Sequence, residues 1–132
     1  MKAGSTFLLS LIQNGGYSVA NIGDSSAMLL KEDGKIMKLT DEQTPNREDE
    51  YNRIVRDGGF VSQKGDTFRV DGSLAVSRAI GDLKYKQYLI PEPETNTFQI
   101  QPNDDILVLS TDGLYLVYTE QEVGRMIADM RR

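Results

Sequence analysis

The chain has 132 residues, 39% of them hydrophobic, which is one domain's length with enough apolar material for a core. Its net charge of -5 comes without a Lys/Arg cluster, so no face suits a phosphate backbone and nucleic acid is excluded as a partner. With neither Cys nor His it has no disulfides, thiolate nucleophile, Ser-His-Asp mechanism or ordinary zinc site; the carboxylate and hydroxyl groups that remain suit hard cations such as Mg²⁺ or Mn²⁺.

Met1-Lys2 ahead of Phe7-Leu8-Leu9-Ser10-Leu11-Ile12 is too short in its apolar part for a signal peptide and lacks a small-residue cleavage pattern. No apolar run approaches the roughly 18 residues that cross a bilayer. The expectation is a soluble, intracellular, cytoplasmic protein with no membrane partner. Thr6 to Gln13 and Tyr17 to Ile22 read as strands joined at Asn14-Gly15-Gly16, residues that accept positive φ in a hairpin. The second strand runs into Gly23-Asp24-Ser25, placing a carboxylate at a strand end. Ala27 to Lys31 and Lys35 to Leu39 flank Glu32-Asp33-Gly34 as a further hairpin.

A helix is expected next, started by Thr44 and Pro45, with Glu48, Asp49 and Glu50 at its positive end, and stopped at Gly58-Gly59. Tyr51, Ile54 and Val55 form its apolar stripe, and its charges read as a solvated face. Asp71-Gly72 predicts a third hairpin between Thr67 to Val70 and Ser73 to Val76, the latter a buried arm. Pro91-Glu92-Pro93-Glu94 is a rigid connection inside the domain.

Asp105 to Ser110 is the last strand, buried through Ile106-Leu107-Val108-Leu109, and it leads into Thr111-Asp112-Gly113. An ionised group at the end of a buried strand must be paired, hydrogen-bonded or bound to a cation. Asp-Gly and Gly-Asp pairs also simply mark turns, so Asp112 and Asp24 carry that reading alongside the metal one. Thr119-Glu120-Gln121-Glu122 is a capping-box pattern opening a helix, whose Val123, Met126, Ile127 and Met130 lie at core-packing spacing, a stripe still running at Arg132. The whole is an α+β chain, read as a β-sandwich of antiparallel sheets flanked by helices and incomplete, over residues 1-132 as one partial domain.

Gly4-Ser5-Thr6, Val19 to Ser25, Leu39-Thr40-Asp41 before Glu50 to Gly59, Leu74 to Asp82, and Leu109 to Leu114 together resemble, in order, the metal-dependent type 2C Ser/Thr protein phosphatases. The resemblance covers nearly the whole chain but only the middle and later part of the family's catalytic domain. It implies two face-to-face antiparallel sheets with outer helices, and two Mg²⁺ or Mn²⁺ ions at one end. Asp112 falls on a metal-ligand position; Asp24 falls on a Gly-Asp-Ser position near the metals, where an additional, weaker ion can bind. Arg78 and Asp82 fall on a segment where a buried ion pair holds the loop, and no residue is assigned catalytic chemistry.

The family's acidic and Asp-Gly-His-Gly segment upstream of Gly4 and its Asp-Asn motif beyond Arg132 are missing from this sequence. Tyr115-Leu116 replaces the usual Trp-Asp, Ser26 the usual Arg, and Glu42 the usual His. Three readings follow from the resemblance and its gaps. One is part of a phosphatase acting on a phosphoprotein substrate, weak or inactive alone. Another is an inactive phosphatase-like regulatory or protein-interaction module, and the third an unrelated β-rich binding domain. A sandwich deprived of flanking strands is expected to self-associate, most simply as a homodimer.

Overall fold

A computed structural model describes residues 3-131. Met1 and Lys2 of the signal-peptide reading, and Arg132 at the end of the methionine stripe, lie outside the described residues. The elements follow the order β1 (Gly4–Ser5), β2 (Phe7–Gln13), β3 (Gly16–Ile22), β4 (Ser26–Lys31), β5 (Ile36–Lys38), α1 (Glu48–Arg56), β6 (Val61–Lys64) and β7 (Thr67–Val70). Then come β8 (Ile80–Gly81), a 3₁₀ turn (Leu83–Tyr85), β9 (Glu94–Gln99), β10 (Asp104–Ser110), α2 (Asp112–Tyr115) and α3 (Glu120–Met130).

Two three-stranded antiparallel sheets carry the fold, ordered β2-β3-β9 and β10-β4-β5. Alternation sends Tyr17 and Val19 of β3 toward Ala27 and Leu29 of β4, and these close a core with Leu39. β4 is the central strand of its sheet and is buried on both faces, which is why Ser26-Ala27-Met28-Leu29-Leu30 is almost continuously small or apolar. On its outer face lies α3. Gly124 is required there, since a Cβ would stand 2.9 Å from the Ile36 side chain and 3.5 Å from that of Leu30. The outer face of β2-β3-β9 is different. Phe7, Leu9 and Leu11 of β2 are exposed on it.

The N-terminus of α3 forms as its sequence predicts. Thr119 Oγ1 accepts from the Glu122 backbone N–H at 3.2 Å while Glu122 Oε2 accepts from the Thr119 N–H at 2.7 Å. Thr119→Ala should cost about 1 kcal/mol, the usual value for losing such a cap, read as a drop in the urea midpoint at constant slope. A change below a few tenths of that would mean packing alone holds α3.

α1 starts later than expected, at Glu48, because Thr44 to Arg47 form a turn closed by the Arg47 N–H on the Thr44 carbonyl. It stops as expected: the Gly58 N–H reaches the Val55 carbonyl and the Gly59 N–H the Ile54 carbonyl, a Schellman ending. Its faces are not as expected. Of the apolar stripe only Ile54 is buried, in a second core with Val70, Ala79 and Leu89, while Tyr51 and Val55 face solvent. Glu50, read as part of a solvated face, is 1% exposed.

The third hairpin is also corrected. β7 pairs along its length with β6 around Gly65-Asp66, and meets Ser73 to Val76 only at the antiparallel Val70–Leu74 bridge. Asp71-Gly72 does turn the chain, closed by the Val70 N–H on the Leu74 carbonyl, but residues 73 to 76 then leave the ladder. Leu74 and Val76 pack on the Ile54–Val70 core instead, and the Ser77 N–H goes to the Gln43 carbonyl.

Candidate functional site

β4 and β10 run antiparallel with Ser26 opposite Ser110. Asp24 lies two residues before the first and Asp112 two residues after the second, so both leave the same end of the same sheet. Both line one cleft of about 400 Å³, together with Glu42, Asp66, Tyr115 and Leu116. The two sequence-predicted metal residues are therefore brought together, although their separation in sequence is large.

Asp24 is set by a tight turn. Gly23 has φ 104°, and a Cβ there would stand 2.4 Å from the Thr6 side chain, so only glycine fits. Asn21 Nδ2 donates to the Gly23 carbonyl at 3.2 Å. Asp24 itself is half-buried, and its carboxyl pKa is raised, first by burial, then by the charge of Asp112, with Glu42 adding; its own backbone N–H opposes them. Asp112 begins α2 behind Thr111, whose extended backbone turns the chain out of β10. Tyr115 of the same turn donates its hydroxyl to Met28 Sδ at 3.5 Å, anchoring α2 to the centre of β4.

Asp24, Glu42, Asp66 and Asp112 give the cleft lining four carboxylates, and no Lys or Arg is among its lining residues. Neither Asp24 nor Asp112 meets a cationic side chain within salt-bridge distance among the described residues. Of the four, only Glu42 has a counter-charge in reach among the described residues, Lys38 at 3.9 Å; like charges gathered at a half-buried site are relieved by a cation, and oxygen donors suit Mg²⁺ or Mn²⁺. The fit is partial: among the described residues no group of three or more acidic side chains is arranged to hold an ion. Leu116 lines the same cleft and is 81% exposed at its lip.

Arg78 is in a buried ion network, but not with Asp82. Its guanidinium donates to Glu50 at 2.8–3.2 Å and to Glu94 Oε1 at 3.2 Å. Arg53 adds two bonds to Glu50 at 2.6 and 2.8 Å, Ser77 Oγ a third at 2.5 Å, and Arg47 joins Glu94 to the cluster. Burial works to raise the Glu50 pKa, but Arg53, Arg78 and Ser77 outweigh it and lower it to about 2. Asp82 instead sits in the left-handed region at φ 49°, its N–H on the Ala3 carbonyl and its side chain against Gly4.

Sequence reasoning missed Asp66 and Gln43. Asp66 is a hairpin-turn residue with no signal that it lines the same cleft as Asp24. Gln43 is 0% exposed, and its place beside Glu42 and Pro45 carries no pattern that distinguishes it from a loop residue.

Comparison with known proteins places this geometry. The sequence model described as protein phosphatase 2C matches residues 1–132. The chain is 43% identical over 122 residues to a probable protein phosphatase 2C of Arabidopsis thaliana, covering 92% of this chain and 32% of that protein. It is 38% identical over 133 residues to protein phosphatase 1L of Bos taurus, covering 97% and 36%. Among solved structures, a C. elegans sex determining protein superposes with a TM-score of 0.90 at 29% identity, over 96% of this chain and 31% of that one. A phosphatase from a pathogenic strain of Toxoplasma gondii gives 0.80 at 35% identity, over 92% and 40%. The chain spans about a third of the length of the curated relatives it matches.

Proposed function

The chain belongs to the protein phosphatase 2C family, and from that premise we propose that the Asp24–Asp112 cleft is part of a Mg²⁺- or Mn²⁺-dependent centre that hydrolyses phosphoserine or phosphothreonine in a phosphoprotein. Residues 1-132 are one part of that catalytic domain, and the remaining metal ligands come from outside them. The observation that carries the reading is the delivery of two carboxylates, from the same end of two paired strands, into a cleft whose lining has four acidic residues and no Lys or Arg.

Asp112 and Asp24 would hold the metal edge of the site, where bound cations would supply activation of water and neutralisation of phosphate charge. The chain's own part is to fix the carboxylates: the Gly23 turn aims Asp24, and the Tyr115–Met28 contact fixes the turn that carries Asp112. Direct attack by a metal-activated water would need no covalent phosphoryl-enzyme intermediate. With so few protein ligands, Mn²⁺ binding by this chain alone is weak, and turnover of a phosphopeptide is negligible.

The expected result of Mn²⁺ titration calorimetry is measurable binding by the wild-type chain and a loss of about ten-fold or more in Asp112→Asn. Equal affinity in the two proteins would remove Asp112 from the centre. Robust metal-dependent hydrolysis by this chain alone would show that the ligand set is complete without further segments.

A second reading, an inactive phosphatase-like regulatory or protein-interaction module, is favoured by Leu116, which puts an apolar side chain where the cleft lip needs an oxygen donor. Leu116→Asp discriminates: tighter Mn²⁺ binding in the variant supports a site weakened in evolution, and unchanged binding leaves the lip outside the metal's reach. We further propose homodimer formation through β2, an edge strand whose Leu9 and Leu11 are about half exposed. Light scattering should give a mass near twice 14.8 kDa, and a compact monomer over a wide concentration range would refute it.

A further inference from the structure

We infer that Gln43 is a positioning residue for the metal edge, acting through the Gly23 turn to hold Asp24 toward Asp112. The inference rests on the reading of Asp24 and Asp112 as metal ligands. Its basis is the way one buried side chain is spent. Gln43 Oε1 accepts from the Gly23 N–H at 2.6 Å, and Gln43 Nε2 donates to the Asn21 carbonyl at 3.1 Å. The Gln43 backbone N–H donates to the Gly23 carbonyl at 2.9 Å. Gln43, from another segment, thus meets both backbone polar groups of Gly23, with Asn21 Nδ2 adding a second bond to the carbonyl, and Asp24 is the next residue along.

A buried primary amide is chosen over an apolar residue only where both its donor and its acceptor are needed, because an unpaired amide in a core is costly. Here the left-handed Gly23 turn leaves an N–H and a carbonyl that no strand partner takes, since β3 ends at Ile22 and β4 begins at Ser26. The Gln43 side chain supplies the acceptor, and its N–H the donor. The brace also has a fixed anchor. The Gln43 carbonyl accepts from the Ser77 N–H at 3.0 Å, and Ser77 Oγ is bonded to the buried Glu50 carboxylate. Asp24 is therefore tied, through Gly23, Gln43 and Ser77, to the arginine–glutamate network rather than to solvent-exposed loop.

Three variants of the chain test this: Gln43→Met, which keeps the volume and removes the amide; Gln43→Asn, which keeps the amide and shortens its reach; and Ile54→Val, a core change away from the cleft. In the metal-free protein, exchange of the Gly23 amide should accelerate at least ten-fold in Gln43→Met and Gln43→Asn beyond the acceleration shared by all core amides, and not in Ile54→Val. Mn²⁺ affinity, by calorimetry, should fall about ten-fold in both Gln43 variants and stay at wild type in Ile54→Val. In an Asp24→Asn background the Gln43 substitutions should produce no further loss, the signature of action through Asp24.

Wild-type Gly23 exchange in Gln43→Met or Gln43→Asn overturns the brace whatever the metal does. Accelerated exchange with Mn²⁺ affinity unchanged, or a full additional ten-fold loss in the Asp24→Asn background, overturns the positioning role. Failure of the metal reading is a separate result: wild-type Mn²⁺ affinity in both Asp24→Asn and Asp112→Asn.

Discussion

Glu50→Ala should destabilise the chain by about 3–5 kcal/mol, the cost of leaving a buried charge cluster without its central partner. The carboxylate is 1% exposed and accepts from Arg53, Arg78 and Ser77, with Arg47 at 3.5 Å. Removing it leaves guanidiniums of α1 and of the Ser77–Arg78 segment facing one another across a dry space. Against a total stability of roughly 5–15 kcal/mol for a domain, that is a large fraction. Asp49 is the control, because it is the neighbouring acid on the same helical turn and also pairs with Arg47. Its side chain is 60% exposed, so Asp49→Ala should cost under about 1 kcal/mol. Urea unfolding of the two variants decides the matter: comparable losses would mean that the network is screened like a surface pair, and that burial of Glu50 contributes little.

What sequence could and could not show divides along a physical line. Strands whose inward positions are apolar were legible, as in Tyr17 to Ile22 and Asp105 to Ser110, but the second is not buried as expected: it lies at the edge of its sheet, half-buried, with Leu109 exposed. β9 was not legible, since Thr95, Asn96 and Thr97 are polar and exposed, and Asn96 is held by a side-chain bond to the Leu39 carbonyl, which hydropathy does not register. α1 misled for the same reason in reverse. Glu50 sits one turn before Ile54 on the buried face, yet an isolated reading of Glu48, Asp49 and Glu50 sees only a charged N-terminus. The convergence of Asp24 with Asp112 was legible as chemistry, from carboxylates that follow apolar strands, and the Ser26–Ser110 register makes it geometry. Gln43 and Asp66 were beyond reach, because their roles depend on which segments the fold lays beside them.

The same network sets the acid limit of the fold. Stability should fall by about 3 kcal/mol as pH drops from 4.5 to 2, the equivalent of the Glu50 shift from its ordinary 4.5 to about 2. The sign follows from proton uptake. Between those values the unfolded chain carries the proton on this group and the folded chain does not, so each step down in pH favours the unfolded state; above 4.5 both are ionised and the contribution is complete. Glu94, lowered first by Arg47 against its burial, adds in the same direction. Asp24 opposes them. Its raised pKa means that the folded state takes up a proton before the unfolded chain does, so acid relieves the Asp24–Asp112 repulsion and offsets part of the loss. Urea midpoints measured across this range in wild type and in Glu50→Gln separate the two effects. The variant should lose close to one proton's worth of slope, about 1.4 kcal/mol per pH unit, between 4.5 and 2. An unchanged slope would place the acid sensitivity elsewhere, whereas a slope that reverses sign in the variant would expose the contribution of Asp24 directly.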